Sequence, residues 1–428
     1  MIFSRAPGPL TKNPKLFEVT LSKKVLVLNS GSSSLKFKLF SLDHLHVVAK
    51  GVVEEIGSPS ANIKFQGCHD HALQRHDIEI EDHLQALKAM SDLLTKCGLI
   101  TNLSQLHGIG HRVVHGGESF TSPVSIDQEV LKKIEELIPL APLHNPANIL
   151  GIKIALDHAP DVPQVAVFDT AFHHTMPAHA HLYALPRHLY EELGIRRYGF
   201  HGTSYSYVTR KAAKYIRKPY SEFSCICLHL GNGASIVAVK NGKCMDTSMG
   251  LTPLEGLVMG TRCGDIDPAI ILFMARNLGM SIDDIDHLLN RQSGLRGICG
   301  DRDMRTIEKR AARGDTDAQL ALDIFCYRAR KYIGAYLSIT GQPDCIIFTG
   351  GIGENSSLVR QNICQDLKWL GLELDPLIND SLDKMEKGRP AEISTKSSKI
   401  KILVIPTDEE LEIARQTIKV IGNEKGQG

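Results

Sequence analysis

This chain has no surplus of charge of either sign. Its 428 residues carry 49 lysines and arginines against 48 aspartates and glutamates, a formal charge of +1. A nucleic-acid binder would show a basic excess at this level, so that class is set aside. Aromatic residues are scarce, at 6%, which removes base-stacking platforms from consideration. No apolar run comes near the ~18–20 residues that cross a bilayer, and no membrane span is expected. No Cys-x-x-Cys occurs among the ten cysteines. Cys68, Cys97, Cys225, Cys227, Cys244, Cys263, Cys299, Cys326, Cys345 and Cys364 are scattered, most of them inside apolar runs. They read as reduced, buried thiols of a cytoplasmic protein. Residues 1–22 lack the apolar stretch of a secretory signal. With Arg5, Lys12 and Lys15 ahead of the first acid, Glu18, they read as a flexible extension, a transit peptide being the alternative. What remains is a globular composition, 43% hydrophobic and 23% charged, which supports a packed core rather than disorder. At ~150 residues per domain the length implies two or three domains.

Strand and helix patterns follow one another along the chain. Residues 24–29 are a β-branched and leucine run, 30–34 a polar turn, and 35–40 an alternating segment. This is strand–turn–strand. Residues 47–53 and 62–65 add strands. Leu84, Leu87, Met90, Leu94 and Cys97 fall near helical spacing over 82–97, and Gly98 stops the helix. A strand is expected at 109–114, helices at 130–138 and 146–158, and a short buried strand at 165–168 ending at Asp169. A second strand–turn–strand follows, with strands at 225–230 and 235–239 around the turn 231–234. Asn241-Gly242 then predicts a hairpin into 243–247. Helices are expected at 268–278, at 281–290 with a Ser281/Asp284 capping box, and at 317–339. A strand at 345–348 opens onto a glycine-rich loop, and 401–405 and 408–420 are the last strand and helix. A hairpin with a small-residue turn begins each half. This predicts a structural duplication with a boundary near Thr170.

Four small-residue loops each follow a strand: 30–34, 231–234, 250–264 and 350–355. Small residues let backbone N–H groups approach an anion closely. With Lys36, Arg112, Asn232 and Arg262 beside strand ends, the loops point to a polyphosphate site. None has the Gly-Lys-Ser/Thr of a Walker A loop opening a helix, and Gly351-x-Gly353 lacks the third glycine of a dinucleotide fingerprint.

Eight segments carry a resemblance. They are Leu28-Asn29-Ser30-Gly31-Ser32-Ser33-Ser34-Leu35-Lys36, Gly110-His111-Arg112-Val113-Val114-His115-Gly116-Gly117, Val167-Phe168-Asp169-Thr170-Ala171-Phe172-His173, Tyr198-Gly199-Phe200-His201-Gly202-Thr203-Ser204, His229-Leu230-Gly231-Asn232-Gly233, Met259-Gly260-Thr261-Arg262-Cys263-Gly264-Asp265, the stretch 349–356, and Pro406-Thr407-Asp408-Glu409-Glu410. In this order they resemble the motifs of the acetate kinase family, over nearly the whole chain from Lys24. The resemblance implies the α/β, two-domain actin-like ATPase fold of acetate and sugar kinases, heat-shock ATPases and actin. Duplicated βββαβαβα cores there flank a nucleotide cleft. It divides the chain into the extension 1–22, a first domain of 23–170 plus 410–428, and a nucleotide-binding second domain of 171–409.

The reaction implied is ATP + acetate ⇌ ADP + acetyl phosphate, with Mg²⁺ or Mn²⁺ as the metal. The residues suit it. A carboxylate nucleophile is already ionised at pH 7, so no general base is needed. The barrier is the meeting of two anions, which calls for fixed cations, hydrogen-bond donors and a metal. By resemblance, Arg112 orients the acetate carboxylate and stabilises the moving phosphoryl group, and Arg262 does the same from the other domain. His201 hydrogen-bonds the transferring oxygens. Asp169 is counted as catalytic in the family; with no proton to abstract, it is read as holding the metal through water or positioning Arg112. Asn29 and Glu409, with Ser32 beside them, would hold the metal. Val114, Leu143, Phe200 and Pro253 would line the methyl pocket, and valine at 114 predicts acetate over propionate. The nucleotide falls to Lys36, His229, Leu230, Gly231, Asn232 and Gly233, to Asp303, Met304 and Arg305, and to Gly351, Ile352, Gly353, Glu354 and Asn355. Met304 stands where the family more often has an aromatic. The family usually forms homodimers.

Other clusters are set aside. On a strand His111 and His115 lie ~13 Å apart, too far to share a metal. His173-His174 and His179-x-His181 sit in a Pro/Ala loop. The charged stretch 132–136 is a solvated helix face. Two alternatives compete with this reading: a propionate or butyrate kinase, and an ATP-gated relative of chaperones or actin. The second gives no reason for Arg112, His201 and Arg262 in one apolar-walled cleft.

Overall fold

A computed structural model describes residues 23–67, 73–382 and 388–425; the extension 1–22 and Cys68 lie outside the described residues. Apolar runs bounded by turn residues become strands, and these join into two sheets. The first holds β1 (Lys24–Gly31), β2 (Ser34–Ser41), β3 (His46–Glu54), β4 (Asn62–Gln66), β5 (Gln74–Asp77), β6 (Gly108–Val113), β7 (Val124–Ser125) and β8 (Gln164–Phe168), in the order β5-β4-β3-β2-β1-β6-β8-β7. The second holds β9 (Cys225–Leu230), β10 (Ala234–Lys240), β11 (Lys243–Thr247), β12 (Cys345–Thr349), β13 (Ala391–Glu392) and β14 (Lys401–Val404), in the order β11-β10-β9-β12-β14-β13. Three antiparallel strands continue into two parallel ones in each, β3-β2-β1-β6-β8 and β11-β10-β9-β12-β14. The duplication expected from the two hairpins is thus present in topology, although the sequences barely match. β9 and β12 are buried along their whole length, as parallel strands covered on both faces must be.

Helices cover both sheets. Thr316–Thr340 packs on β9 and β10, and the terminal helix Glu409–Lys425 lies on β1, β6 and β8. Glycine permits that seat, since a Cβ at Gly110 would come within 2.3 Å of Thr417 Oγ1. The helix Gly202–Ile216 bridges the two sheets. It packs on β9, and Ser206 Oγ donates to Glu412 Oε1 of the terminal helix at 2.7 Å. Among the described residues no helix is long and apolar enough to cross a membrane.

The structure corrects several local expectations. The first hairpin is tighter than 30–34, because β1 runs to Gly31 and β2 resumes at Ser34. The loop expected over 350–355 is the short helix Gly350–Asn355. Its glycines are poor helix formers, but the Glu354 carboxylate accepts the Gly350 N–H at 2.9 Å and ties the turn. β5 reads Gln-Arg-His-Asp and is exposed throughout, so no apolar period marks it. The capping box at Ser281 is present, yet its helix stops at His287 and continues as a wider turn over Leu288–Gln292. Asn241 and Gly242, with φ of 52° and 71°, make the expected hairpin.

Candidate active site

The parallel strands of each sheet end together. β6 and β8 pair Val113 with Phe168, and β9 and β12 pair His229 with Thr349. Ligands of open α/β sheets bind beyond such carboxyl ends, and the candidate residues gather there.

Arg112 at the end of β6 and Asp169 just past β8 form a forked ion pair. Arg112 Nη2 donates to Asp169 Oδ2 at 2.6 Å, and Nε reaches Oδ1 and Oδ2 at 3.2 and 3.1 Å. Thr203 Oγ1 donates to Asp169 Oδ1 at 3.0 Å, and Arg112 Nη1 meets Asn29 Oδ1 at 3.5 Å. Burial opposes charge on Arg112, but Asp169 and then Glu409 outweigh it and hold its pKa above the ordinary range. Asp169 therefore grips Arg112.

Beside this pair, His201 precedes the helix Gly202–Ile216 with φ +59°, a left-handed conformation uncommon for a residue with a Cβ, and the Gly202 N–H donates to the Asp169 carbonyl at 3.0 Å. Its ring stacks on His229 at 4.2 Å, and its Nδ1 lies 2.8 Å from Ser235 Oγ. Burial, then His229, Arg112 and Arg262, push its pKa well below the ordinary value. His229 is pushed down to about 4, by burial and then by Arg112. Its Nδ1 meets Ser204 Oγ at 2.9 Å. Arg262 donates from Nη1 to the Pro253 carbonyl at 3.1 Å and approaches Met259 Sδ at 3.8 Å. No carboxylate pairs with it among the described residues, and burial, then Arg291, lower its pKa. A Cβ placed on Gly233 would lie 3.4 Å from His201 Nε2 and 3.7 Å from Arg262 Nη1, so the strand-end turn, the imidazole and the guanidinium converge.

Beside them opens a cavity of about 1010 Å³. Gly231, Asn232, Asp303, Met304, Arg305, Gly351, Ile352 and Asn355 line it, joined by Arg302, Glu308 and Ser356. Three segments far apart in sequence thus share one wall. His229, Leu230, Gly233, Gly353 and Glu354 do not line it. Glu354 is spent on the Gly350 and Thr407 N–H groups. Asp303 and Arg305 pair with each other at 2.6 Å, and Asp303 caps the helix Met304–Ala311. Met304 is 4% exposed, so it floors the cavity rather than projecting into it. Lys36 is exposed on β2 opposite Asn29, in the fields of Glu409 and Glu410, and is not a cavity residue.

Glu409 opens the terminal helix with no side chain hydrogen-bonded to its carboxylate among the described residues. Burial raises its pKa, with Asp169 and Glu410 adding and Arg112 opposing, to about 7. Glu409 is a half-buried acid in the field of Arg112, and the same guanidinium meets Asn29 Oδ1. The acids are too dispersed for an all-protein cage; no cluster of three or more ligating side chains occurs among the described residues.

Val114 and Phe200 belong to one buried cluster, at 8% and 2% exposure. Leu143 is 50% exposed, in the turn that leads into the helix Asn145–His158, and belongs neither to that cluster nor to the lining of the cavity above. Its neighbour His144 was not singled out from sequence. Burial, then Arg262 and Arg112, bring its pKa to about 4. Asn148, whose Oδ1 accepts the Val114 N–H at 3.0 Å, and Ser235 were also missed. Arg197 likewise escaped notice; it donates to the carbonyls of Thr247, Ser248 and Met249 and braces the loop that carries Pro253.

The family model described as the acetokinase family matches residues 24–415. An acetate kinase from Campylobacter lari is 50% identical over 400 residues, 94% of this chain and all of that protein. The crystal structure of acetate kinase from Porphyromonas gingivalis aligns with a TM-score of 0.87 at 42% identity, covering 94% of this chain and 100% of that one. A propionate kinase from Francisella tularensis aligns equally well, with a TM-score of 0.87 at 43% identity over 93% of this chain and 100% of its own. One fold therefore serves proteins named for two different acids.

Proposed function

This chain belongs to the acetokinase family, and from that premise we propose that it moves the terminal phosphoryl group of ATP to acetate, reversibly, giving ADP and acetyl phosphate. One observation carries the reading: Arg262 converges with His201 on the Gly233 turn, while Arg112 is held by Asp169, which Thr203 of the helix that follows His201 also grips. Two cations so placed fit the transfer of a phosphoryl group between two anions.

ATP occupies the cavity walled by the segments 231–232, 302–308 and 351–356. Acetate lays its carboxylate on Arg112 and its methyl against Val114, Phe200 and Pro253. A carboxylate oxygen then bonds to the terminal phosphorus as the bond to the ADP oxygen breaks. No proton moves, because acetate is ionised throughout. Arg112, Arg262 and a donor from His201 meet the charge that spreads over the phosphoryl oxygens. Asp169 aims Arg112. Asn29 and Glu409 would hold Mg²⁺, which neutralises phosphate charge when bound.

The same reading divides the chain into lobes of 23–170 with 410–428, and 171–409; two separate sheets and the seat of the terminal helix support it. A homodimer is supported by the helix Ala269–Asn277, which leaves Ile270, Leu272 and Phe273 at 42%, 53% and 58% exposure with Leu278 beyond them. A cytoplasmic site agrees with the buried thiols of Cys225, Cys227, Cys244, Cys299, Cys326, Cys345 and Cys364. The test traps acyl phosphate as hydroxamate with acetate, propionate and butyrate. Acetate should react best, and no product from any of the three acids overturns the reading.

A further inference from the structure

Two side chains that this scheme leaves unused, Tyr205 and Ser235, lie wholly buried beside His201, both at 0% exposure. Ser235 sits on β10 opposite His229, and Tyr205 on the helix that His201 precedes. Ser235 Oγ is 2.8 Å from His201 Nδ1 and 2.5 Å from Tyr205 Oη. The polar chain ends in an imidazole whose Nε2 faces Gly233 and Arg262 and has no protein partner among the described residues.

Counting protons gives the chain a direction. Burial holds the Tyr205 phenol well above its ordinary pKa, so it keeps its proton. A phenol has one proton to donate, and Ser235 Oγ is the acceptor it finds among the described residues. Ser235 also has one proton. With Tyr205 donating to it, its own hydroxyl is left to donate to Nδ1. The reverse order, with Nδ1–H donating to Ser235 and Ser235 to Tyr205, strands the phenol proton in a dry interior, which is costly. Nor does the ring carry both protons. Burial, then His229, Arg112, Arg262 and His173, all disfavour the cation, and Asp169 nearby is spent on Arg112 and Thr203.

We propose that Tyr205 and Ser235 are positioning residues that fix His201 as the neutral Nε2–H tautomer, so that a donor and not a lone pair faces the phosphoryl group in transfer. The tautomer stands on the hydrogen-bond chain; only its use in catalysis rests on the phosphoryl-transfer reading.

Long-range ¹H–¹⁵N spectra of the full chain labelled with ¹⁵N-histidine read the tautomer directly, with His201 assigned by its loss in His201→Gln. At pH 7 Nδ1 should resonate as a pyridine-type nitrogen and Nε2 as a pyrrole-type one. The opposite pattern, or the imidazolium pattern, overturns the proposal. In the acyl-phosphate assay, Ser235→Ala should lower kcat by about 10- to 100-fold and leave KM for ATP and acetate within about twofold. Ser235→Thr, which keeps the hydroxyl, should recover most of the rate. Full kcat in Ser235→Ala overturns the proposal. Should that variant fail to fold, Tyr205→Phe carries the same test: a smaller kcat loss with a mixed tautomer spectrum supports the assignment, and an unchanged spectrum overturns it. A wild type that makes no acyl phosphate yet shows the Nε2–H spectrum would overturn the reaction reading and support the tautomer.

Discussion

Arg112 meets Asp169 through three contacts of 2.6, 3.1 and 3.2 Å, while Arg262 meets a carbonyl at 3.1 Å and a sulfur at 3.8 Å. One guanidinium is neutralised and aimed. The other keeps an uncompensated charge in a half-buried site, where charge is expensive to hold. In the proposed transfer the difference gives them unequal work. Arg112 fixes a direction, because its fork is already locked in plane with a carboxylate. Arg262 supplies field, because an arriving anion is the first counter-charge it meets. Under the proposed transfer, such a cleft would bind its anions to relieve the second arginine and orient them on the first.

The largest expected effect removes the uncompensated charge. Arg262→Ala should lower kcat/KM by about 10³–10⁵, with a melting temperature equal to or above the wild type, since an unpaired cation has gone. Arg262→Lys should recover only part of the loss, because an ammonium cannot reproduce the planar fork. A loss within tenfold of wild type would end the idea that this charge does the main work.

Arg112→Ala should also cut kcat steeply, by about 10³, and here stability should fall too. It leaves Asp169, 1% exposed, as a buried carboxylate without its cation, at a cost of about 3–5 kcal/mol. The double variant Arg112→Met with Asp169→Leu should recover most of that stability and none of the rate. Urea denaturation separates the cases. If Arg112→Ala proves as stable as Arg262→Ala, the contrast between the two arginines fails.

Much of this cleft was legible in the chain. The hairpin at 231–234 announced itself by two strand-like runs around small residues, and Asn241-Gly242 by turn chemistry. Arg112 and Asp169 were both visible as strand-end residues, and their pairing follows from β6 and β8 ending in register. What could not be read is relational. Nothing in the residues around 262 says that no acid will reach it. Ser235 reads as one more small residue in a strand, and its meeting with His201 joins positions 34 residues apart. The helix Gly350–Asn355 was hidden because glycine signals a loop and the tie that overrides it is a side chain four residues on. The short strand β5 carries no apolar pattern at all.

A smaller effect sharpens the comparison at the apolar end. Val114 lies two residues beyond Arg112, and its backbone is fixed by Asn148. If the acid lies on the Arg112 side, Val114→Ala should raise the propionate-to-acetate ratio of kcat/KM by about tenfold, the worth of room for one methylene, and leave KM for ATP unchanged. An unchanged ratio would move the acid away from Val114 and toward Arg262.

The smallest effect compares the two fields directly. His144 feels both guanidiniums, Arg262 more than Arg112, after burial, and its pKa is pushed down to about 4. The unfolded value is near 6.5. A histidine depressed in this way contributes stability that is present above about pH 6.5 and lost as pH falls toward 4. Removing Arg262 relieves part of the depression. His144 should therefore titrate higher in Arg262→Ala than in wild type, by under ~1 pH unit, and the loss of stability between pH 7 and pH 5 should shrink. Arg112→Ala should move the same histidine less. NMR titration of His144 in the two variants measures both shifts. A larger movement in Arg112→Ala would mean that the clamped arginine dominates the field at the pocket mouth. Pairing with Asp169 would then have failed to screen it, and the division between aiming and field would collapse.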